Sequence, residues 1–132
     1  MINSAYIFIF MSSLFTVIGE LLIKWRIDNL KFTLEGTLVN KVWSLVILLF
    51  DKIVFMGLTS ALIAALFWMA ALSKFNLSHA YPIFAASLTF FTVLSAVVFL
   101  SEKIIFAQLV GVAIVIIGLI VLYFANVSIK GN

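Results

Sequence analysis

The chain has 132 residues, of which 66% are hydrophobic and 10% charged, with a formal net charge of +3. Soluble domains are about half apolar and about a quarter charged, so this composition, with a mean hydropathy of +1.34, calls for a lipid bilayer as solvent. With no cysteine and one histidine, His79, the chain has no disulfide framework or thiolate metal site and almost nothing from which to build a His-rich metal site or a Ser-His-Asp triad.

Four stretches reach the roughly 20 apolar residues that a membrane-spanning helix needs. The first covers residues 4–23. It has no basic segment ahead of it and no small-residue cleavage pattern, and it exceeds a signal-peptide core in length, so it is expected to remain in the mature protein. Ser12, Thr16, Gly19 and Glu20 lie on one stripe of this helix, which Ile23 continues. Glu20 is the one acid inside a span, and a charge at the centre of a membrane helix costs roughly 2.5–3.5 kcal/mol, so such residues are paired or functional. Lys24 follows four residues later, in the favourable order for a helical ion pair. Two readings follow: a packing face with Glu20 snorkelling to the interface, or a Glu20–Lys24 pair that faces a cavity and handles a charged substrate or a proton.

Residues 42–50 are apolar but too short to cross, and they carry the interface-seeking Trp43 between Lys41 and the pair Asp51-Lys52. The segment reads as an interfacial helix, or as the protruding start of one long second helix. The second span covers residues 53–73 and places Gly57, Ala61, Ala64 and Trp68 along one face. Small residues there favour close helix packing, and Trp68 can also wall a cavity. The third span covers residues 80–100, with Ser78 as its expected N-cap and Pro82 in the first turn, where a missing N–H is harmless. Tyr81, Ala85, Leu88 and Thr92 share a face of it, and His79 is expected to be an exposed spectator at its outer end. Only Ser101-Glu102-Lys103 separates this span from the fourth, residues 104–125, so the two must be antiparallel neighbours. The fourth span has Gly111 and Gly118 two turns apart on one side, a spacing suited to a helix contact within or between chains. Otherwise it is a smooth aliphatic surface between Gln108 and Tyr123, which reads as a packing element. The remaining acids, Asp28, Glu35, Asp51 and Glu102, are expected in connections.

Six of the eight lysines and arginines (24, 26, 31, 41, 52 and 103) fall in the first and third connections, against Lys74 and Lys130 opposite. The positive-inside rule then puts both connections in the cytoplasm and both termini outside. This bias disfavours dual insertion and hence an antiparallel homodimer. No phosphate-binding glycine loop, metal-ligand spacing or facing pair of carboxylates points to an enzyme, a metal or a cofactor, and the charge speaks to lipid rather than to nucleic acid.

Ala80-Tyr81-Pro82-Ile83, the hydroxyl-bearing helix after it, Leu100-Ser101-Glu102-Lys103-Ile104 and the Gly111–Gly118 spacing together resemble the drug/metabolite transporter superfamily. The four-helix size is similar to the small multidrug resistance proteins and the small flippase subunits related to them. The resemblance implies a single bundle in which the first three spans line a substrate chamber and the fourth dimerises. It matches Tyr81 and Phe84 to aromatic chamber positions and Gly111 and Gly118 to dimerising glycines. Aligned on Val17-Ile18-Gly19, the exporters' essential glutamate falls at Thr16, whereas the acid of this chain is one turn later. Gly19-Glu20-Leu21-Leu22-Ile23-Lys24 is closer to the Gly-Gln-x-x-x-Lys helix of the subunits proposed to flip aminoarabinose-modified undecaprenyl phosphate, with Glu20 in place of Gln and Lys24 retained.

The expected function is transport of a lipid-linked, phosphorylated substrate of the polyprenyl-phosphate sugar type across a bacterial inner membrane. Glu20, Lys24, Arg26, Thr16, Trp68, Tyr81, Phe84 and Thr92 are the expected substrate contacts. A proton-coupled exporter of drugs or small cations, with Glu20 as the exchange group, is the first alternative. An accessory subunit of a membrane glycosylation complex is the second. The expected partner is a second copy or a related small subunit.

Overall fold

A computed structural model of the chain describes residues 2–31 and 36–130, with side chains over residues 5–31 and 36–125. The described residues form five helices and no strand: α1 (Ile2–Leu30), α2 (Leu38–Leu49), α3 (Lys52–Leu72), α4 (Leu77–Leu100) and α5 (Phe106–Lys130). Four are long and apolar enough to cross a membrane: Ala5–Leu30 within α1, all of α3 and α4, and Phe106–Ala125 within α5. At about 1.5 Å per residue, even a span of 20 residues covers a hydrocarbon core about 30 Å thick. The protein is therefore a multi-pass membrane protein. Glu35, expected in the first connection, lies outside the described residues, as does the side chain of Lys130.

Several boundaries differ from those expected. The first helix continues about two turns beyond residue 23, because nothing between Glu20 and Leu30 breaks it and Lys24 bonds Asp28 along its surface. It leaves the helix at Lys31, whose backbone is left-handed (φ 46°) and whose N–H reaches the Asp28 carbonyl at 3.2 Å. The last helix likewise runs on to Lys130. Asn76, not Ser78, is the N-cap residue of α4, since its carbonyl accepts the first helical bonds, from the His79 and Ala80 amides. Pro82 thus stands in the second turn, as the sixth helical residue, where it does deny the ladder a donor. It is fully buried and the helix runs through it.

The connection between α4 and α5 is residues 101–105, two longer than its sequence suggests. Ser101 closes α4 in the left-handed conformation (φ 54°), with the Glu102 N–H returning to the Ala96 carbonyl at 3.2 Å. At the other end the Gln108 side chain accepts the Ile105 N–H at 3.1 Å, which is half of a capping box. The two helical options for residues 42–50 are now separated. Asp51 has extended backbone and its carboxylate accepts the Ile53 and Val54 amides, so α3 starts there and α2 is a helix of its own.

The hub of the bundle is α1, which packs against α3 on one side and α4 on the other, while α4 carries α5 and barely meets α3. Gly19 and Gly57 allow the α1–α3 approach. A Cβ on Gly19 would lie 2.7 Å from the Gly57 carbonyl oxygen, and one on Gly57 would lie 2.9 Å from that of Gly19. Around this crossing the Ser12 hydroxyl donates to the Ala64 carbonyl (2.9 Å) and Ser60 to the Phe15 carbonyl (2.7 Å). Such bonds hold membrane helices where apolar burial supplies no drive. Phe67 stacks between Phe8 and Phe15 on the same seam, with ring centroids 6.3 and 5.6 Å away. The expected packing role of Gly57 and Ala64 is thus seen directly.

Candidate functional site

Ser12, Thr16, Glu20, Lys24 and Asp28 form one row of α1 at four-residue spacing. Such a row inclines about 26° to the helix axis, so it winds from the α3 seam toward α4. Ser12 is buried against α3, while the Glu20 carboxylate accepts a 3.2 Å hydrogen bond from the Thr92 hydroxyl of α4. The expected Glu20–Lys24 pair is not formed. Lys24 Nζ turns toward the end of the helix, 3.0 Å from Asp28 Oδ1 and 3.9 Å from Glu102 Oε1 in the α4–α5 connection. Two acids beyond Lys24 and a hydroxyl beside Glu20 draw the two side chains apart. Among the described residues Glu20 has no ion-pair partner.

Beside Thr16 lies a cavity of about 360 Å³ bounded by α1, α3 and α4. Ser12 and Thr16 line it from α1, the small side chains of Ala61, Ala64 and Ala65 hollow its α3 wall, and Trp68, Tyr81 and Phe84 provide aromatic surface. The Trp68 and Phe84 rings meet at 4.7 Å and 43°. Four of the expected contacts, Thr16, Trp68, Tyr81 and Phe84, therefore share one chamber. Because α3 and α4 barely touch, the chamber opens sideways between them, toward the surrounding membrane. Glu20 and Thr92 come one turn farther along α1, and Lys24 another turn beyond, at the charged end.

Arg26 does something other than expected. Its Nε lies 3.0 Å from both Asp51 oxygens and its Nη2 2.8 Å from Oδ2, a forked contact that ties the end of α1 to the α2–α3 joint. The Arg26 guanidinium is the main influence on Asp51, helped by the Ile53 and Val54 amides; together they hold the carboxyl below the ordinary aspartate value, against partial desolvation. Arg26 is thus a structural strut rather than a free anion contact.

The fourth span is more than a packing element. A second cavity, about 510 Å³, lies between α4 and α5, with Thr89, Thr92, Glu102, Lys103, Gln108 and Gly111 among its lining. Glu102, Lys103 and Gln108 were hidden in the sequence because each reads as a connection residue or a helix start. Side chains added at Gly111 or Gly118 would meet nothing within 4 Å, so neither glycine serves a contact inside the chain. His79 is not an exposed spectator. It is half-buried among Phe75 and Tyr123, each ring centroid 5.1 Å away, and its Nε2 lies 3.3 Å from the Tyr6 hydroxyl. Among the described residues, no three His, Asp or Glu side chains cluster as metal ligands do. Comparisons with protein-family models, curated proteins and solved structures find no match for this chain.

Proposed function

We propose that this protein is a transporter that moves a lipid-linked, phosphorylated substrate across a bacterial inner membrane, in the manner of the small four-helix drug/metabolite transporters its motifs resemble. The observation that carries the reading is the sideways opening of the aromatic chamber between α3 and α4, with Thr16, Glu20 and Lys24 graded from chamber to charged end along one row. A hydrocarbon chain can stay in the bilayer while its headgroup enters such a chamber. Lys24 offers the charge for a phosphate, exchanging its exposed contact with Asp28 for the ligand, since exposed pairs contribute little. Glu20 and Thr92 then meet hydroxyl or amino groups of the headgroup. In this arrangement the charged end is cytoplasmic, both termini are outside, and α2, with Trp43 exposed on it and Phe50 exposed just past its end, rests in the interface. The exposed glycine face of α5 suits a second copy or a related small subunit. In vesicles holding a fluorescent polyprenyl-phosphate sugar, wild-type protein should speed its transfer between leaflets. Lys24→Ala should abolish that transfer while Asp28→Asn retains it; unchanged transfer in Lys24→Ala sinks the proposed site.

One observation favours a second reading, a proton-coupled exporter of organic cations. Glu20 has no cationic neighbour bound to it, and the aromatic walls of the chamber one turn away along α1 attract cations. That reading expects cells expressing the protein to withstand quaternary ammonium compounds, and to lose the protection in Glu20→Gln. No protection in wild type eliminates it.

A further inference from the structure

The groove between α4 and α5, about 510 Å³, is larger than the aromatic chamber and within the range of about 300–1,000 Å³ usual for ligand sites. It is chemically graded. Glu102, Lys103 and Gln108 come from the connection and the first turn of α5, and the rest of the lining is mainly aliphatic, Val93, Ala96, Val112 and Val115 among it, with the hydroxyls of Thr89 and Thr92 on the α4 wall. The surface of α5 around it is exposed and aliphatic, so in a membrane the medium that fills it is lipid. Two details bear on what the polar end binds. Lys103 makes no ion pair among the described residues, whereas Lys24 and Arg26 both do, and Glu102 leans toward Lys24. Gln108 spends its carbonyl oxygen on the Ile105 N–H, which leaves its amide NH₂ as a donor. A cation and an amide donor at the head of an apolar groove complement a phosphate that carries a hydrocarbon chain. Gly111 is part of the groove lining, and a Cβ there would enter open space, with nothing within 4 Å.

We propose that the α4–α5 groove is a binding site for an anionic phospholipid of the bilayer, with one acyl chain along Val93, Ala96, Val112 and Val115 and the phosphate at Lys103 and Gln108. The groove shares no lining residue with the aromatic chamber, and Thr92 and Glu102 on its wall connect it to the Glu20–Lys24 row of the proposed substrate path. It gives α5, which packs mainly on α4, a lipid that completes its inner face.

The test uses the full chain in phosphatidylcholine vesicles with a trace of phosphatidylglycerol bearing a photoactivatable group at mid-chain. Peptide mapping after illumination should place the label on Val93, Ala96, Val112 and Val115, and unlabelled phosphatidylglycerol should remove it while diacylglycerol does not. Gly111→Leu, which fills the groove, should abolish this labelling. Lys103→Gln should weaken phosphatidylglycerol competition about fivefold, the worth of one lysine against an anionic lipid surface. Thermal melting identifies a Gly111→Leu protein that fails to fold, in which case Lys103→Gln carries the test alone. Label spread evenly over the outward faces of α5 and indifferent to both substitutions would mean ordinary boundary lipid and overturn the proposal. Chain-to-chain cross-links through Gly111 with no lipid label in the groove would overturn it in favour of a second copy of the chain.

Discussion

Replacing Gly19 with alanine isolates the contact on which the α1–α3 pair depends. The added methyl would stand 2.7 Å from the Gly57 carbonyl oxygen and 3.5 Å from the Ala61 nitrogen, both backbone atoms that cannot swing aside. The helices must separate, and overpacking of this kind costs about 1–3 kcal/mol. Separation also lengthens the Ser12–Ala64 and Ser60–Phe15 bonds, each worth about 0.6 kcal/mol between membrane helices. Alanine returns up to about 1 kcal/mol through its helix propensity. The expected net effect is a loss of about 1–3 kcal/mol by these terms. Gly118→Ala receives the same propensity gain with nothing within 4 Å, so it should be neutral or slightly stabilising. Reversible unfolding in mixed micelles, followed by helical circular dichroism, compares the two. If Gly19→Ala is as stable as wild type, or Gly118→Ala loses as much, the crossing does not control the fold as described.

The remaining predictions concern the α2–α3 joint and the chamber. Asp51 has a folded pKa below its unfolded one, so the stability it brings is fully present above the unfolded value and is lost as pH falls through the folded value. Wild type should therefore melt higher than Arg26→Ala at neutral pH, with the gap closing in acid; a gap constant with pH would contradict the pairing. Ala65→Leu should occupy the chamber and stop transport while leaving the melting temperature nearly unchanged, because Ala65 is exposed at the chamber wall. Equal transport in that variant would move the substrate path elsewhere.

The spanning segments follow from counting. A run of about 20 apolar residues has one way to satisfy its backbone in lipid, so the number, order and approximate positions of the spanning helices were legible without tertiary information. The small residues Gly57 and Ala64 and the aromatics Trp68, Tyr81 and Phe84 were legible too, because helical periodicity puts them on faces that must meet something. What the sequence left open was which partner each polar side chain takes. Glu20 and Lys24 sit four apart and look paired, yet Thr92, 72 residues away in the chain, holds one, while Asp28 and Glu102 hold the other. Arg26 looked free until Asp51, 25 residues on, appeared at the end of its fork. Helix ends escaped for a related reason: Asp51 and Asn76 mark where α3 and α4 begin through backbone conformation, and residue types alone favoured Ser78 equally well. The lone carboxylate in the first helix was evident from composition. That it meets Thr92 of α4, rather than its neighbouring lysine, was decided by how α1 and α4 pack, since long-range contacts choose among local pairings of nearly equal energy.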